Sequence, residues 1–533
     1  MAGLTAAAVV IPKAMACAVI AGLPVEVGLY TALAAMAIYP LLGSSRALSV
    51  SSTSAIAMLA AASIVASRSI DGASPATLAA ALAVLVGGFL ALGHVLRLGF
   101  LANFISKPVL VGFAAGVGVA IIAGQLKSLL GVRLESHDAL GILRELPAQL
   151  VHAHLPTVAL SVAGIVMLLG IHRQLPRWPA PLVWVAGAIG ASALLDLGAS
   201  GIALVGPVPS GLPRLSMPNL ALLGHLWPAA LGIALMCFTE SMAAARTFVG
   251  RADLPVDANR ELLALGAANV AAAFFGGMPA GGGTSQTAVA DQAGARSQMA
   301  QWVGAAATLV TLVLLAEVIG LLPQAALAAL VVVVSAGMVK PSEFGAIARV
   351  RRSEWAWAMV TFAGVVLLGT LEGIGIAVLV SVLTLIHQAN HPPVYAVAVN
   401  RALGIFRRLG ADASDETVPG LLMLRAEGRL TFANAANVQE KMQALAAAAI
   451  PPPRVVVLEC SAIPDIEYTA LMMLVEGERK QREHGVSLWL AGLNAGFEQA
   501  IDRSALGPIV GAGRRFPSLK HALDAFQAAK GAG

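Results

Sequence analysis

Charged side chains are scarce in this chain. Only 12% of its 533 residues are Asp, Glu, Lys or Arg, whereas 58% are hydrophobic. A soluble domain carries about 25% charged residues, so the composition excludes an ordinary soluble protein. Up to about residue 388 the sequence is a series of apolar runs, each about 17–25 residues long, which is the length of a membrane-spanning helix. After about residue 391 charged residues recur every few positions, which indicates a second, soluble domain.

Cysteine is also rare. Cys17, Cys237 and Cys460 are far apart, so neither a disulfide framework nor a CxxC metal site is available. The sequence contains no nucleotide-binding loop, no metal-catalytic cluster and no nucleophile–base arrangement. We therefore predict that the protein is not an enzyme and has no cofactor or bound metal. The net charge of +5 lies in turns between apolar runs and does not indicate nucleic-acid binding.

The apolar region divides into about fourteen spans, and its basic residues concentrate in the turns of one side. Examples are Arg46 and the run Arg349, Arg351 and Arg352. Because cytoplasmic loops are enriched in Lys and Arg, we expect both termini and the soluble domain in the cytoplasm. The first 20 residues lack a basic leader, and Lys13 interrupts their apolar character, so they do not resemble a signal peptide.

Two distant segments echo each other. Residues 13–18 (KAMACA) lie in the first apolar run and residues 240–245 (ESMAAA) in a later one. Each is followed, about 40 residues on, by a break and a cluster of small or hydroxyl residues: 51–54 (SSTS) and 282–285 (GGTS). Duplicated halves with broken helices and intramembrane charges are typical of secondary transporters built from inverted repeats.

The two clusters predict half-helices. A helix that starts inside the membrane leaves backbone N–H groups free at its positive dipole end, which is a ready anion site. The alternative interpretation is helix capping with close packing. The candidate substrate-binding residues are Lys13, Ser51, Ser52, Thr53, Gly283, Thr284, Ser285 and Gln286.

Lys13 and Glu240 are single charges within apolar runs. Such charges are costly unless they pair, become neutral or face a cavity. The alternative to a functional role is a buried salt bridge that fixes span 1 (about residues 3–20) against span 8 (about residues 226–245). Pro12, next to Lys13, predicts that the first helix is kinked or interrupted.

These segments resemble the SulP family of anion transporters, the sulfate permeases. The blocks that carry the resemblance are residues 2–16, 21–30, 43–50, 103–113, 259–262 and 287–296. The resemblance implies an α-helical polytopic membrane protein with about fourteen spans in two inverted seven-span repeats, forming core and gate domains. It places the substrate between the half-helices of span 3 (about residues 50–66) and span 10 (about residues 284–292), beside spans 1 and 8.

The tail resembles a STAS domain. Its sequence pattern predicts strands at residues 421–425, 454–459 and 486–491, and helices at residues 434–448 and 468–484. This alternation predicts a small α/β sandwich. The expected domains are 1–390 (membrane transport), 391–417 (linker) and 418–533 (STAS). The resemblance also implies a homodimer.

Two departures from the family pattern bear on function. Many relatives have glutamine at the position of Lys13 and arginine at that of Gln286, as though the positive charge had moved to span 1. Sodium-coupled relatives place a hydroxyl one turn after the span-8 acid, where this chain has Ala244. This favours Glu240 as a proton-coupling residue.

We therefore predict alternating-access, proton-coupled transport of a small anion, sulfate first, across the bacterial inner membrane. Bicarbonate or dicarboxylate transport, and a channel-like or signalling role as a membrane anchor for the STAS domain, stay open. The sequence identifies neither the anion nor the dimer interface, and does not separate symport from exchange.

Overall fold

The computed structural model describes most of the chain in two compact units. These units are Met1–Ser381 and Val382–Gly533. The described residues are 2–67, 73–103, 106–134, 136, 139–175, 178–213, 215, 217–218, 222–249, 255–400, 403–410 and 415–531. Phe104 and Ile105, in one of the blocks that carry the family resemblance, lie outside them.

The first unit is helical, with two very short strands. Its strands are β1 (Val50–Ser51) and β2 (Gly281–Gly282). Its helices are α1 (Ala2–Ile20), α2 (Val25–Leu42), α3 (Ser54–Ala66), α4 (Pro75–Val95), α5 (Lys107–Leu130), α6 (Ala139–Gln149), α7 (Leu155–Gln174), α8 (Ala180–Leu195), α9 (Leu223–Thr247), α10 (Ala258–Phe274), α11 (Thr284–Gln292), α12 (Met299–Leu314), α13 (Ala316–Gly320), α14 (Gln324–Ala336), α15 (Pro341–Val350) and α16 (Arg352–Leu368). Helix α17 (Thr370–Asn390) begins in this unit and ends in the second.

Helices recur along the whole of the predicted membrane region, residues 1–390. Among the described residues, six helical stretches are long and apolar enough to cross a membrane, or seven if the bent pair formed by α6 and α7 is counted as one span. The number of spans therefore stays a prediction. At about 1.5 Å per residue, α3 and α11 are about 20 Å and about 14 Å long. Both are shorter than the hydrocarbon core of a bilayer, about 30 Å thick.

Helix α1 is continuous through Pro12, so the first helix is not interrupted there. A kink at Pro12, the other form of the expectation, stays a prediction. Proline within a membrane helix is tolerated where neighbouring helices satisfy the freed backbone group. Helix α2 packs very closely against α1 here. A Cβ atom on Gly28 would lie 2.0 Å from the carbonyl oxygen of Ala14, so only glycine permits this approach. The contact fixes the turn of α1 that carries Lys13.

The second unit contains a six-stranded sheet in the order β4-β3-β5-β6-β7-β8. Strands β5 to β8 are parallel, and β3 pairs antiparallel with both β4 and β5. The strands are β3 (Val394–Asn400), β4 (Ile405–Arg408), β5 (Leu421–Ala426), β6 (Val455–Glu459), β7 (Ser487–Ala491) and β8 (Arg515–Phe516). The helices are α18 (Ala435–Ala448), α19 (Tyr468–Glu483), α20 (Ala495–Asp502), α21 (Leu506–Val510) and α22 (Leu519–Gly531).

Helices cover both faces of this sheet. One apolar core includes Leu474 of α19, and the other includes Phe526 of α22. The predicted α/β alternation is present, but the linker expected at 391–417 is not. Those residues supply β3 and β4, because the apolar run of β3 is buried against β5. Cys460, after β6, is fully buried, and this burial raises the pKa of its thiol.

Candidate functional site

The two short helices α3 and α11 begin at one place in the first unit. The strands that precede them, β1 and β2, pair antiparallel, with Val50 opposite Gly282 and Ser51 opposite Gly281. A Cβ atom on Gly282 would lie 2.6 Å from Leu48 Cδ1, so a larger residue would displace the buried Leu48 side chain. The strand pair therefore brings together two helix beginnings that are about 230 residues apart in sequence.

Each helix starts at a recognisable cap. Thr53 has extended backbone angles, and its hydroxyl accepts a hydrogen bond from the N–H of Ile56 at 3.4 Å, so α3 starts at Ser54. Gly283 caps α11, which starts at the exposed Thr284. The first N–H groups of a helix have no partner within it, and the aligned peptide dipoles add positive potential there. The side chain of Ser285 lies outside the description.

Side chains of three neighbouring helices bind the segment that precedes α11. Thr31 Oγ1 accepts from the N–H of Met278 at 2.8 Å. Asn269 binds both backbone groups of Ala280 at 2.9 Å, and Ser241 Oγ accepts from Gly282 N at 2.7 Å. Thr31, Asn269 and Ser241 are not among the residues predicted from the sequence. The available signal was polar residues inside apolar runs, which must find buried partners.

The segment that precedes α3 is bound from the other half of the unit. The amide of Gln286 donates to Ser49 O at 2.7 Å and accepts from Ser51 Oγ at 2.9 Å. Thr287 Oγ1 accepts from Ser49 N at 3.1 Å. Gln286 is fully buried, so in this structure its amide connects the two half-sites. Its expected hydrogen bond to an anion stays a prediction.

Glu261 is a further polar anchor that the sequence analysis missed. This carboxylate in the first turns of α10 is fully buried. It accepts hydrogen bonds from Tyr39 Oη at 2.7 Å, from Ser44 N and Oγ at 2.7 Å each, and from Ser45 N at 3.1 Å. A carboxylate that accepts four hydrogen bonds holds the loop leading to β1 firmly.

Glu240 of α9 lies at the start of α3. Its Oε2 accepts a hydrogen bond from Thr53 Oγ1 at 2.9 Å. Lys13 of α1 is buried, with 8% of its surface exposed, and its ammonium is near enough for its charge to interact with that of Glu240. The predicted approach of the Lys13 ammonium to Glu240, or to the space between the half-helices, stays a prediction.

The hydroxyl of Ser52 completes the polar surface around the start of α3. Ser52 is fully buried, and its Oγ has no hydrogen-bond partner among the described residues. Its carbonyl oxygen accepts from Cys17 Sγ at 3.6 Å, while Cys237 Sγ donates to Ala280 O at 3.0 Å on the other side. All three cysteines of the chain are free and buried.

Comparison with known proteins identifies the family. The model of the family described as "Sulfate permease family" matches residues 1–361, and the model of the "STAS domain" matches residues 412–522. The chain belongs to the sulfate permease family. This family consists of membrane transport proteins, so the chain is a transporter with a C-terminal STAS domain, as its sequence blocks predict.

Relatives of this permease extend over nearly its whole length. Proteins named "Probable sulfate transporter" in two strains of Mycobacterium tuberculosis are 35% identical over 531 residues, which are 99% of this chain and 94% of each relative. Human "Solute carrier family 26 member 6" is 28% identical over 463 residues, 82% of this chain and 61% of that protein.

Solved structures with the same fold confirm the fold class. Murine Solute Carrier 26 family member A9, an anion transporter in the inward-facing state, matches with a TM-score of 0.87 at 20% identity, covering 99% of this chain and 90% of that one. The transmembrane domain of the cyanobacterial bicarbonate transporter BicA matches with a TM-score of 0.61 at 22% identity, covering 72% and 95%.

Proposed function

We propose that this permease is a secondary active transporter of a small anion, with sulfate as the first candidate, in the bacterial plasma membrane. The observation that carries the proposal is the convergence of two helix N-termini at the β1–β2 pair, with a buried lysine nearby. Helix N-termini attract anions through their N–H groups and dipoles. The relatives named as sulfate transporters support sulfate as the first choice.

The anion is proposed to bind between the starts of α3 and α11. Backbone groups there recognise charge and size, and the unpartnered hydroxyl of Ser52 provides a further hydrogen bond. Lys13 supplies the cation. A buried ammonium remains charged at low cost only when an anion is close, so a bound substrate and Glu240 compete for it.

Glu240 is the proposed proton carrier. Binding of an anion near Lys13 weakens the interaction of that lysine with Glu240, which favours protonation of the carboxyl group. Proton and anion then cross together by alternating access. The residue one turn after Glu240 is Ala244, whose methyl group offers no oxygen ligand to sodium. We further propose a homodimer with both termini and the STAS domain in the cytoplasm.

Uptake into proteoliposomes tests this function. Sulfate, bicarbonate, chloride, fumarate and succinate are compared with and without an inward proton gradient. We expect gradient-driven accumulation of sulfate. Accumulation of bicarbonate or a dicarboxylate alone would replace the proposed substrate, and uptake that never exceeds the electrochemical equilibrium of the anion would indicate a channel.

A substitution at Glu240 tests the coupling. Gln mimics the protonated carboxyl, so Glu240→Gln retains anion exchange but loses the response of net uptake to the proton gradient. The exposed Glu317 of α13 provides the matched control, and Glu317→Gln transports as the wild type does. Full pH-driven accumulation by Glu240→Gln would show that Glu240 is structural.

A further inference from the structure

The hydroxyl of Thr53 connects the proposed proton site with the proposed anion site. Thr53 is the cap of α3 and is almost completely buried, with 1% of its surface exposed. Its Oγ1 donates to Glu240 Oε2 at 2.9 Å and accepts from Ile56 N at 3.4 Å. One side chain therefore contacts both the carboxylate and the first turn of the helix.

A threonine hydroxyl has one proton to donate and two lone pairs that accept. In this structure the proton is directed to Glu240, and one lone pair receives the N–H of Ile56. The proton is thus engaged by Glu240 and is not offered to an anion at the helix N-terminus, where the anion is proposed to bind. No donor to the second lone pair is described, so the hydroxyl can accept one further hydrogen bond when it rotates.

Among the residues that the structure describes, the ionisable groups whose charges interact with that of Glu240 lie on two helices. Lys13 and Cys17 belong to α1, and Cys237 lies on α9 itself. Lys13 is the cation among them. These groups affect the charge of Glu240, but the described hydrogen bond to the carboxylate comes from the Thr53 hydroxyl.

We infer that Thr53 is a donor switch, a positioning residue that converts protonation of Glu240 into an extra hydrogen-bond donor for the anion. This inference rests on the proposed function. When a proton binds to Glu240, the new carboxyl O–H donates to the free lone pair of Thr53 Oγ1. The Thr53 proton, no longer accepted by Glu240, rotates toward the start of α3 and donates to the anion.

No covalent bond other than the carboxyl O–H forms in this sequence, and charge balances because the added proton neutralises Glu240. The anion gains one donor and loses one nearby negative charge. Each step favours the other, so proton and anion bind cooperatively. When Glu240 loses its proton on the opposite side of the membrane, the Thr53 hydroxyl again donates to Glu240, and the anion is released.

The test measures the anion affinity of purified protein at about pH 5.5 and about pH 7.5, with the same pH throughout the sample. We expect acid to tighten sulfate binding in the wild type. Thr53→Ser keeps the hydroxyl and this response. Thr53→Val has nearly the same shape without the hydroxyl, and its response is reduced by about tenfold, the effect of one hydrogen bond to a charged group.

A second pair of variants tests the switch without altering the helix cap. Glu240→Gln has an N–H₂ group that can donate to Thr53 Oγ1, whereas Glu240→Leu is neutral but cannot donate. If Thr53 is the switch, Glu240→Gln binds sulfate about tenfold more tightly than Glu240→Leu at both pH values. Adding Thr53→Val removes this difference.

The outcomes separate this inference from the proposed function. Equal affinity in Glu240→Gln and Glu240→Leu, or a full acid response in Thr53→Val, shows that Glu240 acts through charge alone. The donor switch is then wrong while proton coupling stands. An unchanged acid response in Glu240→Gln overturns the proposed coupling itself.

Discussion

The two segments that lead into the short helices differ in chemistry although their backbones pair with each other. The segment before α3 is bound by the carboxylate of Glu261 and the amide of Gln286, and α3 itself begins beside Glu240. The segment before α11 is bound by the neutral side chains of Thr31, Asn269 and Ser241. The repeated architecture sets the backbone geometry on both sides, while side chains concentrate charge on the α3 side.

This asymmetry suggests that the two sides have different roles in binding. The α3 side, with Lys13 and Glu240 nearby, is suited to respond to charge. The α11 side is suited to present a rigid helix start, because neutral hydrogen bonds do not change with protonation. Three changes test this comparison.

The largest effect is expected from Lys13→Gln, which removes the proposed cation of the α3 side. Sulfate uptake should fall by about 100-fold or more, since one buried charge interaction contributes about 3 kcal/mol or more. Adding Gln286→Arg returns a cation from the α11 side and should restore part of the uptake. Initial rates in proteoliposomes measure both.

The exposed Lys127 of α5 provides the control, and Lys127→Gln should transport normally. Independent, additive losses in the Lys13 and Gln286 variants would show that these two positions do not exchange roles. The comparison between the two sides would then lose its functional meaning.

An intermediate effect is expected when Glu261, which binds the segment before α3, and Asn269, which binds the segment before α11, are replaced in turn. Glu261→Ala leaves the donors of Tyr39, Ser44 and Ser45 without their acceptor, and should destabilise the protein by about 3 kcal/mol or more. Asn269→Ala removes neutral hydrogen bonds and should cost about 1–3 kcal/mol. Thermal unfolding in detergent ranks the two variants.

The surface ion pair of Lys340 with Glu343 supplies the reference for that ranking. Because these side chains are substantially exposed, Glu343→Ala should change stability by less than about 1 kcal/mol. A smaller loss for Glu261→Ala than for Asn269→Ala would contradict the view that the α3 side has the stronger anchor.

The smallest effect on the site is expected from removal of the soluble unit. Deletion from residue 392 onward should leave the membrane unit folded, with sulfate binding retained and transport rate or trafficking altered. Deletion from residue 418 keeps β3 and β4 but removes β5, which leaves the apolar residues of β3 exposed. The protein truncated at residue 418 should therefore aggregate more than the protein truncated at residue 392. Size-exclusion chromatography and sulfate binding distinguish the two.

Loss of sulfate binding in a monodisperse protein truncated at residue 392 would mean that the soluble unit contributes to the site. Equal solubility of the two truncations would instead argue that β3 does not depend on β5.

The features that were predicted correctly from the sequence depend on local properties of the chain, namely helix caps and apolar periodicity. The helix starts expected at 51–54 and 283–285 lie at Thr53 and Gly283, because hydroxyl and glycine caps act within one helical turn. The strands and helices of the tail from 421 to 491 follow from apolar periodicity. The linker was predicted wrongly, although the apolar run of β3, the turn at Gly404 and residues 405–408 form a hairpin pattern.

The sequence by itself determined the membrane class, the family, the two helix breaks and the alternation of the soluble unit, because composition, periodicity and caps are local properties. Only the tertiary structure decided which distant groups meet. Thr53 and Glu240 are 187 positions apart, and Ser49 and Thr287 are 238 apart. No local pattern specifies such contacts, since they depend on how whole helices pack, and this packing directs the Gln286 amide to the segment before α3 and the Thr53 hydroxyl to Glu240.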